Sequence, residues 1–298
     1  MIKNAFKHFC ATYPHLTLEY AIEYFSVLGG REEYITLDFF DDIFSMVKNN
    51  FVDDFVIFQS HVSPSYLLET PYREVLSAVA RGDGKFYSVL KRARLGEEVG
   101  EKIVSELISL GILMLEPTRE KPLRLYPKQK LKKMLRSYRI QDKLRFRQPF
   151  MRFWFGFVTP YTGRLLQGDK REFLENFENH YARLRSLVYE QLCNDMLCHY
   201  LKERGIALLS SGSYWDQYSE FDLLAVTSEK RLILGECKYR ERKVCKNELS
   251  KLKAKAEKSG IAVEIFVLFS KSGFSNELLQ LKEKNLLLFD LNDLKILL

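Results

Sequence analysis

The sequence has no run of about eighteen apolar residues, and a helix that crosses a membrane needs about twenty. The first eight residues, 1–8, also lack the apolar core of a secretory signal. We therefore expect no membrane segment and a cytoplasmic location.

Cysteine is scarce, with five residues in 298. These cysteines show neither the spacing of a zinc site nor that of a disulfide framework; they are Cys10, Cys193, Cys198, Cys237 and Cys245. Reduced cytosolic thiols are the expected state.

The sequence also shows no phosphate-binding loop for ATP. Glycines lie near a lysine in 82–85 and again in 96–102, but neither stretch fits G-x-x-x-x-G-K-[ST] or follows an apolar strand. We expect no ATP site in this chain.

Charge is unevenly distributed, although the formal net charge is only +7. Residues up to Glu69 are mainly acidic, whereas the stretch from Pro127 to Arg171 is strongly basic. This asymmetry predicts a polyanion-binding middle and an acidic end that contacts a partner or masks the basic part. Two solvated faces of unlike sign are the alternative.

Residues 1–65 are predicted to be a helical N-terminal region without catalytic chemistry. Apolar residues recur at helical spacing up to Gly29 and Gly30. Thr36 or Asp38 is expected to cap the next helix. Its apolar stripe is Phe39, Phe40, Ile43, Phe44 and Val47.

Residues 66–126 are predicted to form a winged-helix-like domain. Helices are expected to begin near Pro71, Phe86 and Glu97, and the stretches 112–116 and 123–126 to pair as a hairpin. The third helix is rich in glutamate and has one lysine, Lys102. Packing is therefore at least as good an interpretation of this helix as DNA reading.

Residues 127–180 are predicted to be a basic, aromatic linker. Arginines alternate with rings here, and Arg145, Arg147 and Arg152 are candidates for contact with a phosphate backbone. The alternative is that the rings seal two domains together, which we favour for the rings themselves; they are Phe150, Phe153, Trp154 and Phe157.

The most informative stretch consists of two apolar segments, 220–226 and 232–238, joined by the polar turn 227–231. This pattern predicts a hairpin. Glu236 and Lys238 are two residues apart and share a face of their strand, and the hairpin places Asp222 on the neighbouring strand close to that face. Charged residues are seldom buried unless they are paired or bind a metal. Two carboxylates suit Mg²⁺, and an ion pair on a solvated sheet edge is the alternative.

This segment resembles the active-site core of the PD-(D/E)XK nucleases. More closely, residues 213–216 leading to 220–226, and 235–239, resemble DUF234, a domain that ends a family of archaeal and bacterial ATPases. Residues 138–142 and 149–158 resemble the signature at the entrance of that domain. The resemblance runs from about Arg139 to the C-terminus.

The resemblance implies an α+β multi-domain protein with a helical N-terminal region, a winged-helix domain and a restriction-endonuclease-like α/β core at 181–298. Many nucleases of the superfamily carry a glutamate on the first helix beside the metal, which makes Glu190 a third acidic candidate. A surface glutamate is an equally good interpretation of Glu190. The missing ATP site departs from the long form of the family and leaves a separate ATPase as a possible partner.

The sequence thus predicts a DNA-binding nuclease that depends on Mg²⁺ or Mn²⁺. Asp222, Glu236 and Glu190 are expected to bind the metal, and Lys238 to orient the attacking water. The nucleic acid is expected to contact five basic residues: Arg145, Arg147, Arg152, Lys251 and Lys255. The alternative is a non-catalytic nucleic-acid-binding or regulatory protein with a nuclease-like fold. A third hypothesis is an interaction subunit that recruits a separate ATPase through the acidic N-terminal helices.

Overall fold

The structure, a computed structural model, describes residues 2–31, 42–52, 55–124, 126–281 and 283–298. The chain divides into two compact units. The first consists of Met1–Glu116 and Lys143–Val188, and the second of Pro117–Asp142 and Tyr189–Leu298. Residues 127–142 of the predicted linker therefore fall in the second unit, and residues 143–180 in the first. Within the described ranges, no helix is long and apolar enough to cross a membrane.

The first unit is mainly helical. Its early helices are α1 Lys3–Thr12, α2 Leu18–Leu28, α3 Ile43–Met46 and α4 Phe55–Ser60. A π-helical segment, Val47–Val52, follows α3, and a 3₁₀ turn, Ser65–Leu68, follows α4. Thr17 caps α2 by accepting a hydrogen bond from the main-chain nitrogen of Tyr20.

Asp42 caps α3 by accepting a 2.7 Å hydrogen bond from the nitrogen of Ser45. The predicted caps, Thr36 and Asp38, lie outside the described residues, as do the predicted stripe residues Phe39 and Phe40.

Three helices and a two-stranded sheet follow. They are α5 Tyr72–Arg81, α6 Phe86–Ala93, α7 Glu97–Ser109, β1 Leu113–Glu116 and β2 Lys143–Phe146. Strand β1 pairs with β2 in antiparallel register, from Leu113 opposite Phe146 to Glu116 opposite Lys143. The three predicted helices are confirmed.

The predicted hairpin between 112–116 and 123–126 is wrong in its second strand. Leu144 and Phe146 bury their side chains and place Arg145 between them, which is the alternation of a half-buried strand. Tyr126 is exposed, and the segment 117–142 is inserted between the two paired strands and belongs to the second unit. The sequence pattern did not reveal that a strand partner lay beyond this insertion.

The aromatic segment continues the first unit. It contains α8 Pro149–Phe153, a π-helical stretch Trp154–Val158, a 3₁₀ turn Thr159–Tyr161 and α9 Thr162–Leu165. Phe150, Phe153 and Trp154 are almost fully buried, and Trp154 stacks on Phe55 with 5.6 Å between ring centroids. These three rings lie in the core of the first unit and are not available to stack on bases. That the rings seal two domains together stays a prediction.

The apolar spacing predicts one long helix or two over 173–203. The structure has one, α10 Arg171–Glu203, which contributes residues up to Val188 to the first unit and the remainder to the second. The second unit is built on a five-stranded sheet in the order β3-β4-β5-β6-β7. Its strands are β3 Leu208–Trp215, β4 Glu220–Thr227, β5 Leu232–Lys238, β6 Ile265–Ser270 and β7 Leu286–Asp290.

Pairing is antiparallel from β3 to β5 and parallel from β5 to β7. The predicted hairpin of β4 and β5 is confirmed, whereas the first strand, expected at 206–210, extends to Trp215. The protein is therefore of the α+β class, with a mixed sheet in its C-terminal part.

Helix α11, Lys246–Lys258, covers one face of this sheet. Leu249, Leu252 and Ala256 point inward as predicted and pack with Leu224 and Leu234. The chain ends with the short helix α12 Asn276–Leu279, strand β7 and a 3₁₀ segment, Leu291–Leu297. The core under α11 fixes the strand ends that carry the polar residues described next.

Candidate functional site

The site lies where β4 and β5 stop pairing through their backbones. The paired register runs from Val226 opposite Leu232 to Leu223 opposite Gly235, so the next positions are Asp222 and Glu236. The main-chain nitrogen of Cys237 donates a 2.8 Å hydrogen bond to Oδ2 of Asp222. A carboxylate thus takes the place of a backbone acceptor at the end of the ladder.

Lys238 joins this pair from the same strand face as Glu236. Its Nζ donates to Oε1 of Glu236, and both side chains are about one-quarter exposed or less. The predicted convergence of Asp222, Glu236 and Lys238 agrees with this arrangement of two adjacent strands.

Burial, followed by the negative charge of Glu236, raises the pKa of Asp222 to about 6. The hydrogen bond from Cys237 and the charges of Lys238 and Lys255 act in the opposite direction. A bound cation would favour the ionised form of a carboxyl group that burial and a neighbouring carboxylate keep protonated in this way.

The pKa of Lys238 is also raised, which for an ammonium group favours the charged form. Partial burial alone would lower the pKa of its ammonium, but the hydrogen bond and charge of Glu236 and the charges of Asp222 and Glu248 raise it above its usual value. Lys238 is therefore a cation over the whole physiological range and does not act as a general base.

Glu190 lies on the part of α10 that belongs to the second unit. The preceding residue, Tyr189, packs edge-on against Tyr239, with ring centroids 4.9 Å apart, so this turn of helix lies beside the end of β5. Burial raises the pKa of the Cys193 thiol, and the negative charges of both Glu190 and Asp222 raise it further. Glu190 is thus in the electrostatic neighbourhood of Asp222.

Among the described residues, no three His, Cys, Asp or Glu side chains are grouped so as to hold a metal ion. Mg²⁺ in proteins needs only one or two carboxylates and keeps several waters. Asp222 and Glu236 supply such a pair, and burial together with the charge of Glu236 raises the pKa of Asp222, an effect that Mg²⁺ or Mn²⁺ would oppose. The donor set at the strand end therefore fits this ion, and Glu190 on α10 is a further carboxylate whose charge, like that of Asp222, acts on Cys193.

Two of the predicted nucleic-acid contacts lie on α11. The Nζ of Lys255 donates to the carbonyl oxygen of Glu220 and lies 4.5 Å from the ring centre of Phe221. Its charge also lowers the pKa of Asp222, which places it beside the carboxylates. Lys251 is more exposed and lies 3.4 Å from Glu248.

The other predicted contacts, Arg145, Arg147 and Arg152, belong to the first unit. Arg145 forms a 2.7 Å ion pair with Glu116, and only 15% of its side chain is exposed. Arg147 is exposed, and its Nε lies 3.4 Å from the carbonyl oxygen of Leu113. Arg152 is half-buried and lines a cavity of this unit.

Sequence reasoning missed Arg240 and Glu248. Nη2 of Arg240 forms a 3.4 Å ion pair with Oε1 of Glu248, and its buried Nε has no hydrogen-bond acceptor within the described structure. Burial alone would raise the pKa of Glu248, but the charges of Lys251 and Arg240 hold it below its usual range. Arg240 follows Lys238 by two residues, and this spacing is the signal that could have identified it.

Comparison with known proteins gives one family. No curated protein and no solved structure matches the chain. Residues 154–255, which include Glu190, Asp222, Glu236 and Lys238, match the family DUF234, described as archaeal and bacterial proteins of unknown function.

Proposed function

We propose that the protein is a metal-dependent phosphodiesterase that hydrolyses DNA, of the PD-(D/E)XK type. The observation that carries the proposal is the meeting of Asp222, Glu236 and Lys238 where two paired strands separate. Keeping Asp222 ionised here is costly for folding alone, because burial and the charge of Glu236 raise its pKa.

Each side chain has a role in this proposal. Asp222 and Glu236 hold Mg²⁺ or Mn²⁺, and Glu190 contributes a further carboxylate from the adjacent helix. The ion, when bound, polarises a phosphoryl oxygen and lowers the pKa of its water. Lys238 stays protonated, orients the attacking water and offsets charge that develops on the phosphate.

The basic residues around these side chains supply the DNA contact. Lys255 lies beside the carboxylates, and Lys251 is exposed on the same helix. The Nε of Arg240 lacks an acceptor in the described structure, which leaves one N–H donor for a phosphate oxygen beside the ion pair with Glu248. Phosphate contacts of this kind give affinity without sequence preference.

The proposal extends to the folds of the two units. The second unit is a restriction-endonuclease-like core, because a helix, three antiparallel strands, a helix and a parallel strand follow in that order. Helices α5 to α7 with β1 and β2 form a winged helix in which residues 117–142 replace the tip of the wing. A cytoplasmic location agrees with a DNA substrate.

The test is a Mg²⁺ and Mn²⁺ titration of cleavage on labelled duplex, single-stranded and branched DNA. We expect cleavage that requires metal and falls by about a hundredfold or more in Asp222→Ala and Lys238→Ala, as is usual for groups that act at the transition state. The preferred substrate would identify the structure on which the enzyme acts.

Glu229→Gln and Lys230→Ala, in the turn between the same two strands, are the matched controls. They change one charge of each sign on the same hairpin and should leave cleavage unchanged. Cleavage that persists with excess EDTA, or in Lys238→Ala, would contradict the proposal.

A second candidate is a nucleic-acid-binding or regulatory protein without catalysis. The ion pair of Lys238 with Glu236 favours it, because each charge already has a partner without a metal. In that case Asp222→Ala would leave DNA binding intact, and binding would weaken steeply with salt while no cleavage occurs. A separate ATPase is the partner proposed for this version, recruited through residues 1–65, and a pull-down with that segment tests it.

A further inference from the structure

The first unit contains a cavity of about 240 Å³, separate in sequence from the carboxylate pair of the second unit. Three arginines line it, Arg81, Arg152 and Arg183, together with His180. Phe157 and Leu187 form part of an apolar wall. No carboxylate is among the described residues that line the cavity, so its charge is positive.

The basic side chains that line the cavity come from three separate helices. Arg81 ends α5, Arg152 lies on α8, and His180 and Arg183 lie on successive positions of one face of α10. Nη2 of Arg183 donates a 3.0 Å hydrogen bond to the carbonyl oxygen of Gly82, which follows Arg81.

His180 has a defined hydrogen-bonding role. Its Nδ1 lies 3.0 Å from the carbonyl oxygen of Asn176. Since a carbonyl oxygen only accepts, Nδ1 carries the hydrogen, and Nε2 is left to contact a ligand. Arg81, His180 and Arg183 are exposed, so an incoming anion reaches them from solvent.

We propose that this cavity binds the phosphate monoester group of a nucleotide, either free or at the end of a nucleic-acid strand. Guanidinium groups match phosphate oxygens in bidentate geometry, and several of them favour a doubly charged monoester over a carboxylate. The cavity is larger than a phosphate ion, and Phe157 and Leu187 offer apolar surface to the sugar or base of the nucleotide.

The experiment compares ligands that differ only in the monoester. Calorimetry would use a mixture of nucleoside 5′-monophosphates against the matching nucleosides, and fluorescence anisotropy would use a single-stranded oligonucleotide with a 5′-phosphate against the same strand with a 5′-hydroxyl. We expect binding about tenfold tighter with the monoester in at least one pair, a preference that Arg81→Ala/Arg183→Ala abolishes. Preference within the nucleoside pair identifies a free nucleotide, and preference within the oligonucleotide pair alone identifies a strand end.

Arg171 is an exposed arginine of α10, the helix that carries Arg183. Arg171→Ala is therefore the matched control and should keep the preference for the monoester. Arg81→Ala alone, checked for cooperative thermal unfolding, guards against loss of the fold in the double variant. Equal binding with and without the monoester, or a preference that survives in the double variant, would overturn the proposal. The site does not depend on the proposed nuclease, because Asp222→Asn should lose cleavage and keep the monoester preference.

Discussion

The nitrogen of Cys237 lies 2.8 Å from Oδ2 of Asp222, so the residue between Glu236 and Lys238 holds the carboxylate of the neighbouring strand. This hydrogen bond fixes one oxygen of Asp222. The donor is a main-chain nitrogen, so the link between Asp222 and the strand that carries Glu236 and Lys238 does not depend on the side chain at position 237.

Asp222→Asn is expected to stabilise the metal-free protein at high pH. Asparagine keeps the oxygen that accepts from Cys237 and removes the buried charge. The pKa of Asp222 is raised from 3.8 to about 6, so the folded state holds the proton more tightly, and wild-type stability falls as pH rises from about 4 to about 6. Above that range the difference is about 3 kcal/mol at most, since one pKa unit corresponds to about 1.4 kcal/mol.

Urea denaturation in EDTA at pH 8 and at pH 4 measures this. The stabilisation should be present at pH 8 and mostly lost at pH 4, where the carboxyl group is protonated in the folded state and partly protonated in the unfolded state. Glu229→Gln, at the exposed turn of the hairpin, should show no such dependence. If Asp222→Asn were less stable than wild type at pH 8, the carboxylate would be stabilising and the site interpretation would be wrong.

Lys255 and Lys251 should differ in their effect on the site. The charge of Lys255 lowers the pKa of Asp222, so Lys255→Met is expected to raise that pKa further above 6. Lys251 instead lowers the pKa of Glu248, and Lys251→Met is expected to raise the pKa of Glu248. A ¹³C NMR titration of side-chain carboxyls, with Asp222→Asn for assignment, measures both midpoints. Equal shifts of Asp222 in the two variants would contradict the placement of Lys255.

The hairpin of β4 and β5 could be predicted from sequence because its signals are local. Apolar runs of strand length flank a polar turn, and residues two apart on a strand share a face, so Glu236 and Lys238 were placed together correctly. The inward face of α11 was predicted for the same reason, since its periodicity lies within thirteen consecutive residues.

The partner of β1 could not be predicted, because pairing with β2 crosses an insertion that carries no periodic signal. Arg145 shows the same limit at the level of a side chain. Its position among basic residues indicated a phosphate contact, but Glu116, on the paired strand, holds it in a largely buried ion pair. Whether a basic residue is available to bind phosphate depends on its contacts with distant segments of the chain. The pattern of charges along the sequence does not reveal these contacts.

Gly235→Val is expected to destabilise the second unit by about 1–3 kcal/mol, the usual cost of overpacking a core. A Cβ at Gly235 would lie 3.2 Å from Cβ of Leu223 and 3.5 Å from the carbonyl oxygen of Val267. Leu223 is next to Asp222 on the paired strand, so a displacement of Leu223 would also move the site. Thermal unfolding and cleavage measure both effects.

Gly163→Ala is the control for that substitution, because a Cβ there meets no atom within 4 Å. It should be neutral or slightly stabilising, as alanine favours a helix more than glycine does. A Gly235→Val variant as stable as wild type would show that the sheet has room at this position, in conflict with the close approach of Leu223.

Arg119→Ala is expected to loosen the edge of the sheet where β3 bulges. The register of β3 and β4 shifts between Gly212 and Tyr214, which leaves the carbonyl of Ser213 outside the regular ladder. Arg119 donates to this carbonyl oxygen and, at 2.5 Å, to that of Leu224. Losing a charged donor to buried carbonyls typically costs about 1–3 kcal/mol.

Hydrogen exchange gives a local measurement of this effect. Amides of β3 and β4 near the bulge should exchange faster in Arg119→Ala, while those of β6 should be unchanged apart from the global loss of stability. Arg119→Lys should restore little, since one ammonium does not reproduce the fork that reaches two carbonyls. Arg124→Ala, an exposed arginine of the same inserted segment, should leave exchange unchanged. Strand β4 carries Asp222. If exchange in Arg119→Ala rose no more in β3 and β4 than in β6, the insertion would not support the strand on which the site depends.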